Sequence, residues 1–178
     1  MFIRRLSRWQ AEQQREAVAD VYVEAYRQGR DRQGFLETFA EDVQRPGFDM
    51  VVASGGNKPA AYAYGFDIEE PAVSGQVFAL AGLMVLPAHR RDGVATRLVE
   101  QLLIRTDAVL VAARVDPGNE AAVAALRSWG WTRLGAVAAP VGSSDSSSDG
   151  TAATAPFTAV PVVGSGTVTD VWSRALTS

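Results

Sequence analysis

Arg90 and Arg91 stand at a turn between an apolar stretch and an amphipathic one, and Gly93 and Ala95 follow at short spacing. Glycine and alanine leave room for a ligand close to the backbone, and the first amides of a helix bind anions. Arginines at that end of a helix dipole cost about 0.3–1 kcal/mol each unless an anion neutralises them. The pattern therefore predicts a phosphate site at this turn, with a pyrophosphate docked between the two arginines.

The elements on either side of this turn can be read from the sequence. Residues 76–86 are apolar on both faces, which predicts a central strand, and Pro87 ends it. Apolar residues then recur at helical spacing, so one face of the following helix should pack on the sheet. These residues are Val94, Leu98, Val99, Leu102 and Leu103.

Pro87 and the pattern Arg90-x-x-Gly93-x-Ala95 resemble the pyrophosphate signature of the GNAT superfamily of acyl-CoA-dependent N-acetyltransferases. The resemblance implies acetyl-CoA as co-substrate, held by this turn and by the end of the preceding strand. The cofactor-binding residues that it implies here are Met84, Val85, Arg90, Arg91, Asp92, Gly93, Val94, Ala95 and Thr96. It also implies that the backbone N–H of Val85 stabilises the thioester oxygen, where negative charge develops.

Asp92 departs from the family pattern, which usually has a neutral or basic residue at this position. Its carboxylate could cap the amides of Val94 and Ala95 and compete with phosphate for them. His89 is the single histidine of the chain, and in similar sequences it occupies a spacer position. We interpret it as an ordinary loop residue.

A second segment, residues 116–131, resembles the part of the family that lies along CoA. Asn119 and Ala122 match the family's asparagine and the small residue beside CoA. Asn119 is also a good helix N-cap, and both roles are compatible because the cap uses only the side-chain oxygen. Leu126 is implied at the cofactor, but it stands where the family often has a tyrosine that protonates the departing thiolate. That acid is absent.

The family's usual base is absent as well. Related sequences often carry a glutamate in the fourth strand, and this position is Gly82. Glycine here indicates either a β-bulge or room for a bulky acceptor or ordered water. An alkylammonium group is almost fully protonated at neutral pH, so a base or a water relay is needed. The candidates are Asp67, Glu69 and Glu70, which follow the third strand, although such residues are more often solvated loop charges.

Composition limits the classes of function. A formal net charge of −3 and a pI of about 5.2 provide no basic surface for nucleic acid. The chain has no cysteine and one histidine, which excludes disulfides and thiolate catalysis and argues against a metal site. No signal peptide or stretch of transmembrane length is recognisable, so we expect a cytoplasmic protein with no membrane partner. One lysine among 17 basic residues is typical of a GC-rich bacterial genome.

One domain is expected across residues 1–178, because this length suits one well-buried core. Strands are predicted at 2–6, 50–54, 60–66, 76–86, 108–115, 131–138 and 168–176, and helices at 10–26, around 35–43, from 94 and at 119–128. This alternation predicts an α/β (α+β) sandwich. The resemblance implies a mostly antiparallel central sheet of about six to seven strands with about four flanking helices. Residues 141–166, rich in serine and aspartate, are interpreted as a long mobile loop, either a tolerated insertion or a lid over the acceptor.

The resemblance implies an N-acetyltransferase. An amine of a small-molecule or peptide acceptor would attack the acetyl-CoA thioester directly, without a metal. The alternative is a catalytically degenerate member of the fold that binds CoA as a sensor or interaction module, and the residues Gly82 and Leu126 favour it. The sequence leaves the acceptor open and is compatible with a homodimer.

Overall fold

The structure is a computed structural model that describes residues 1–25, 31–138, 162–163 and 168–176. The strands are β1 (Phe2–Leu6), β2 (Asp49–Ser54), β3 (Pro59–Ile68), β4 (Val77–Val85), β5 (Leu110–Val115), β6 (Thr132–Ala138), β7 (Val162–Val163) and β8 (Val168–Ala175). The helices are α1 (Arg8–Gln13), α2 (Arg15–Ala25), α3 (Arg32–Val43), α4 (Val94–Leu103) and α5 (Glu120–Ser128), with a 3₁₀ turn at Pro87–His89. The strands form one sheet in the order β1-β2-β3-β4-β5-β8-β6, with β7 beside β5. The predicted α/β fold with a mostly antiparallel sheet is confirmed.

The helix predicted over residues 10–26 is two helices. The side chain of Ser7 accepts a hydrogen bond from the Gln10 amide, and the Gln10 side chain accepts one from the Ser7 amide. This capping box starts α1 at Arg8. The backbone leaves the helical conformation at Gln14, and α2 begins anew at the next residue. The end of the predicted helix, at Tyr26, lies outside the described residues.

The sheet has a hydrophobic core on each face. Helices α1–α3 cover one face, and helices α4 and α5 cover the other. The side chains of β4 alternate between the two cores: Ala79 and Ala81 contribute to the first, and Phe78 and Leu80 to the second. Both faces of β4 are buried, so its apolar sequence is that of a central strand.

β4 and β5 are paired only where they begin. Val77–Ala79 pair in parallel with Leu110–Ala112, whereas β4 continues to Val85 and β5 to Val115. Within the described ranges, no strand pairs with this edge of β4 beyond Ala79. A gap therefore opens in the middle of the sheet at the carboxyl ends of two parallel strands, where ligands bind in many open sheets.

Two residues of the predicted loop at 141–166 belong to the sheet. Val162 and Val163 pair in parallel with Arg114 and Val115 of β5. Because β8 pairs with the opposite edge of β5, β7 lies on the edge that faces the gap. The prediction of an uninterrupted loop is wrong at these two residues. The rest of that segment, including the Ser/Asp-rich stretch, lies outside the described residues.

Across the part of the chain that the structure describes, no helix is both long and apolar enough to cross a membrane.

Asp42, near the end of α3, is a buried carboxyl in the core covered by α1–α3, with 4% of its surface exposed. The Tyr64 hydroxyl donates to Asp42 Oδ2 at 3.3 Å, and Arg45 Nε lies 3.5 Å from Oδ1. Burial raises the pKa of Asp42 above its usual value, although Tyr64 and Arg45 both act to lower it. Burial, together with Asp42, raises the pKa of Tyr64 well above its usual range, so this phenol stays protonated.

We expect Asp42→Asn to stabilise the protein more at neutral pH than at acid pH. Folding raises the pKa of Asp42, so the protonated form of this residue contributes to the stability of the protein. That contribution is complete at pH values below the pKa of an ordinary aspartate. That contribution is lost as the pH rises through the raised value. Asparagine keeps an oxygen for the Tyr64 hydroxyl and carries no charge.

Urea unfolding of both variants at about pH 4 and about pH 7 measures this effect. The gain of Asp42→Asn over the wild type should be larger at the higher pH. The same difference at both values would mean that the folded protein ionises this carboxyl without penalty.

Candidate active site

A cavity of about 940 Å³ lies where β4 and β5 separate. Its walls are the end of β4, the turn after it, the first turn of α4, the end of β5 and one side of α5. The predicted cofactor residues on its walls are Met84, Val85, Arg90, Arg91, Gly93, Val94, Ala95, Thr96, Asn119, Ala122 and Leu126. The structure thus brings together the two segments in which these residues were predicted. Their contact with a cofactor stays a prediction.

The first turn of α4 presents uncapped amides to the cavity. Its N-cap is Gly93, with a φ of 72° and a ψ of 12°, and this residue has no side chain that could accept from them. The first intrahelical bond runs from the Arg97 amide to the Gly93 carbonyl. The three preceding amides, Val94 to Thr96, therefore have no helical partner. Such amides at a helix start form an anion site.

Gly93 is required by its backbone conformation. A Cβ atom placed on it would meet nothing within 4 Å, so the surrounding space is open. Its positive φ is a region that residues with a side chain rarely adopt. The absence of a Cβ atom also leaves the approach to the amides clear, as the sequence predicted.

Arg91 shares this conformation with a φ of 72°, and it is the only residue other than glycine with a positive φ among those described. The left-handed conformation costs such a residue roughly 1–2 kcal/mol. Arg91 is exposed at the cavity wall, and no hydrogen bond or ion pair joins its guanidinium to another described residue. Strain of this kind is often found in functional turns. Arg91 is therefore placed to meet an anion at the start of α4.

The side chain of Arg90 has a different role. Its Nε donates to the Val85 carbonyl and its Nη2 to the Ala25 carbonyl, both at 3.1 Å. Arg90 thus joins the end of β4 to the last residue of α2, where a cation also complements the helix dipole. These two bonds use only two of the five N–H donors of the Arg90 guanidinium, so the predicted docking of pyrophosphate between the two guanidinium groups stays a prediction. Arg90 remains a prediction as a cofactor residue through its position on the wall.

Asp92 is exposed and lies outside the cavity wall. No hydrogen bond within the described ranges joins its carboxylate to the amides of Val94 or Ala95. The predicted competition through a side-chain cap is therefore wrong. The reason is that Gly93 takes the N-cap position and places Asp92 one residue before it. What remains is a screened repulsion between Asp92 and a bound anion.

The backbone of Val85 faces the gap. The Leu86 amide donates to the Ala60 carbonyl of β3 at 2.9 Å, which makes these two residues a hydrogen-bonded pair. Hydrogen-bonded and non-hydrogen-bonded pairs alternate along antiparallel strands. The next pair, Val85 with Ala61, is therefore non-hydrogen-bonded, and the Val85 N–H and C=O point away from β3. By the same alternation the Met84 amide belongs to the β3 ladder, so of the two residues predicted here only Val85 has an amide that can donate to a ligand.

Gly82, at the position of the family's glutamate, is explained by its neighbour on β3. Tyr64 pairs with Gly82, whereas Gly65 pairs with Leu80, so Ala81 is an extra residue and β4 has a bulge. A Cβ atom on Gly82 would lie 2.4 Å from Cε1 of Tyr64. The bulge interpretation is confirmed. The Tyr64 ring fills the direction in which a Gly82 side chain would point, but Gly82 also lines the cavity, so room for an acceptor or water stays a prediction.

The predicted catalytic carboxylates lie at the other end of the sheet. Asp67 pairs with Phe78 at the start of β4, roughly 20 Å along the strand from Val85. Glu69 and Glu70 follow Asp67 and lie beyond this end. Burial raises the pKa of Asp67, with a smaller contribution from the charge of Asp107. The prediction that they reach the acceptor cleft is wrong, because antiparallel β3 ends where β4 begins.

The second segment behaves as predicted at its start. Asn119 Oδ1 accepts from the Ala122 amide at 3.1 Å, which confirms Asn119 as the N-cap of α5. Leu126 is buried, with 3% of its surface exposed, and provides an apolar wall. Among the described residues there is no group of histidines and carboxylates that could hold a metal ion.

One contact in the cavity wall was not predicted. The indole Nε1 of Trp129 donates to Oγ1 of Thr96 at 2.9 Å. It joins the end of α5 to the first turn of α4. The sequence carries no signal for this pair, since its members come from segments that were interpreted separately.

Gly82→Ala is expected to destabilise the protein by about 1–3 kcal/mol, because the new methyl group would clash with the Tyr64 ring. Gly82→Glu restores the family's carboxylate but should destabilise further without a gain in activity. Urea unfolding measures both changes.

Gly55→Ala is the matched control. Its Cβ atom would lie in ordinary contact, 3.7 Å from the nearest atom of Met1, so we expect a change within about 0.5 kcal/mol. Equal stabilities of Gly82→Ala and Gly55→Ala would show that Tyr64 does not restrict this position.

The sequence model of the acetyltransferase (GNAT) family matches residues 13–131, more than half of the chain. No curated protein matches the chain at a significant level.

Solved structures share the fold. The ribosomal-protein-S18-alanine N-acetyltransferase from Escherichia coli matches with a TM-score of 0.67 and 16% identity, covering 99% of this chain and 96% of that one. The yncA protein from Salmonella typhimurium, solved with its cofactor acetyl-CoA, matches with a TM-score of 0.62 and 15% identity, covering 100% and 95%. The aminoglycoside N-acetyltransferase AAC(6')-Iy in complex with CoA matches with a TM-score of 0.55 and 19% identity, covering 72% and 86%. At such identities the likeness shows the fold.

Proposed function

The chain belongs to the acetyltransferase (GNAT) family, and we propose that it transfers the acetyl group of acetyl-CoA to an amine of a small-molecule or peptide acceptor. The observation that carries this proposal is the uncapped start of α4 beside Arg91, in a cavity that extends to the open edge of β4. Structural relatives named for a protein substrate and for an aminoglycoside support an amine acceptor without choosing between these classes.

The residues on the cavity wall fit the cofactor. The diphosphate would be held by the amides of Val94–Thr96 and by the guanidinium of Arg91, which supply hydrogen bonds and positive charge. The amide-bearing arm would meet the open edge of β4 at Val85. Asn119 and Ala122 would border it from α5. Bound anionic charge would offset both the helix dipole and the unpaired arginine.

The bound thioester supplies an activated acetyl group. When the acceptor amine attacks the thioester carbon, negative charge develops on the carbonyl oxygen, and the Val85 N–H, which points away from β3, would stabilise it. The strand holds this amide in place before reaction, so little reorganisation is needed. The C–N bond forms, the C–S bond breaks, and CoA leaves as a thiolate that takes a proton from water.

Proton transfer is the step for which the family's usual side chains are missing from this chain. Gly82 and Leu126 supply neither base nor acid, and the Tyr64 ring occupies the direction in which a side chain at position 82 would point. We therefore assign removal of the amine proton to water in the cavity. The same two residues favour the second candidate function, a sensor or interaction module that binds CoA without turnover.

Several predictions made from the sequence alone remain open. They are the cytoplasmic location, the bacterial origin, the single domain, the absence of a nucleic-acid partner and the homodimer.

Arg91→Gln is expected to weaken CoA binding roughly tenfold, or about 1.4 kcal/mol, because it removes a charged donor from the anion site. Arg105→Gln is the matched control. It removes the same charge from an exposed residue beyond the other end of α4, outside the cavity wall, and should leave the affinity unchanged. Calorimetric titration with CoA measures both.

Thiol release from acetyl-CoA across a panel of amines then separates the two candidate functions. Turnover on an amine supports the acetyltransferase. CoA binding without turnover on any amine supports the sensor. No binding at millimolar CoA would overturn both.

A further inference from the structure

We propose that Trp129 is a positioning residue that orients the hydroxyl of Thr96 as a donor toward the anion site at the start of α4. The inference rests on the proposed binding of CoA and concerns how this chain completes its diphosphate site. Both side chains line the cavity, and the bond between them, at 2.9 Å, has ordinary hydrogen-bond geometry.

The direction of this hydrogen bond follows from the chemistry of the groups. An indole N–H can only donate, so the oxygen of Thr96 must accept. A hydroxyl has one proton and two lone pairs, and Trp129 uses one lone pair. The proton of the Thr96 hydroxyl therefore remains to be donated elsewhere.

That proton has no partner in the helix. A threonine inside a helix commonly donates to the carbonyl four residues earlier, which for Thr96 is that of Asp92. Asp92 precedes the N-cap, and no hydrogen bond in the described part of the chain runs from the Thr96 hydroxyl to a carbonyl. Thr96 is itself one of the three residues with uncapped amides at the start of α4, and it lines the cavity. Its hydroxyl would thus be a further donor at the same anion site.

The bond from Trp129 fixes the orientation of the Thr96 hydroxyl before a ligand binds. A helical threonine divides its side chain between two rotamers, and a hydrogen bond to its oxygen selects one of them. The same bond links the end of α5 to the first turn of α4, which form two walls of the cavity. A donor held in place before the ligand arrives costs less entropy on binding.

Two other tryptophans show that a buried indole N–H in this protein does not always have a hydrogen-bond partner. Trp131 and Trp172 lie in the core on the same face of the sheet, and neither buried Nε1 has a hydrogen-bond partner in the described structure. Trp131 is two residues from Trp129 and is 4% exposed. Trp131→Phe is therefore a matched control, since it removes an indole N–H that bonds to no residue in the described ranges.

The test is a set of calorimetric CoA titrations with variants of both residues. Trp129→Phe should weaken CoA binding about three- to tenfold, and Thr96→Val should weaken it by at least as much. Thr96→Ser, which keeps the hydroxyl, should bind like the wild type, and so should Trp131→Phe. The double variant Trp129→Phe/Thr96→Val should bind no more weakly than Thr96→Val alone, because Trp129 acts through Thr96.

The possible results separate this inference from the function on which it rests. If the wild type does not bind CoA, both are overturned. If the wild type binds and Trp129→Phe binds equally well, or if the losses of the two single variants add in the double variant, only the inference is overturned. Thr96→Val and Thr96→Ser leave the indole in place. Equal affinities for these two would also overturn the inference, even if Trp129→Phe folds poorly.

Discussion

The cavity exists because the two parallel strands β4 and β5 separate soon after they begin. β4 and β5 hold their hydrogen-bonded register for Val77–Ala79 and Leu110–Ala112 and then diverge. The bulge at Ala81 begins where this pairing ends, and bulges increase the local bend and twist of a strand. Unpaired backbone groups are normally costly inside a sheet. Here they form the wall of a cavity, and Arg90 already satisfies one of them, the Val85 carbonyl.

The two adjacent arginines show how one short turn serves both the scaffold and the site. Arg90 bonds to carbonyls of β4 and α2, which places its charge at a favourable helix terminus. Arg91 is held in a strained backbone conformation, and its guanidinium has no bond to another described residue. Arg90 therefore stabilises the contact between β4 and α2, whereas Arg91, its neighbour in sequence, has its whole guanidinium available to a ligand.

Local patterns predicted most of the fold and the two segments that line the cavity. β1 spans the predicted residues, because the pattern of a short strand is local in sequence. Gly93 marks the start of α4 through its backbone conformation, and Asn119 marks the start of α5 through its side chain. The contacts that were missed join distant segments: Arg90 reaches Ala25 across 65 residues, and Trp129 reaches Thr96 across 33. Such long-range pairs leave no periodic pattern in the sequence from which they could be predicted. The carboxylates after β3 were misplaced for a different reason, since the antiparallel direction of β3 and β4 already excluded them.

Under the proposed function, cofactor binding and proton transfer would depend on different parts of this protein. The proposed anion site and the oriented Val85 amide are mostly backbone features, so they persist wherever the turn, the helix start and the strand edge persist. The two positions where the family has an acidic or basic side chain supply none here, because Tyr64 occupies the direction of a Gly82 side chain and Leu126 is apolar. Under the proposed function, the attacking species is the small uncharged fraction of the amine, because protonation of an alkylamine is an equilibrium in water. A less basic acceptor has a larger uncharged fraction at neutral pH and therefore depends less on a base from the protein.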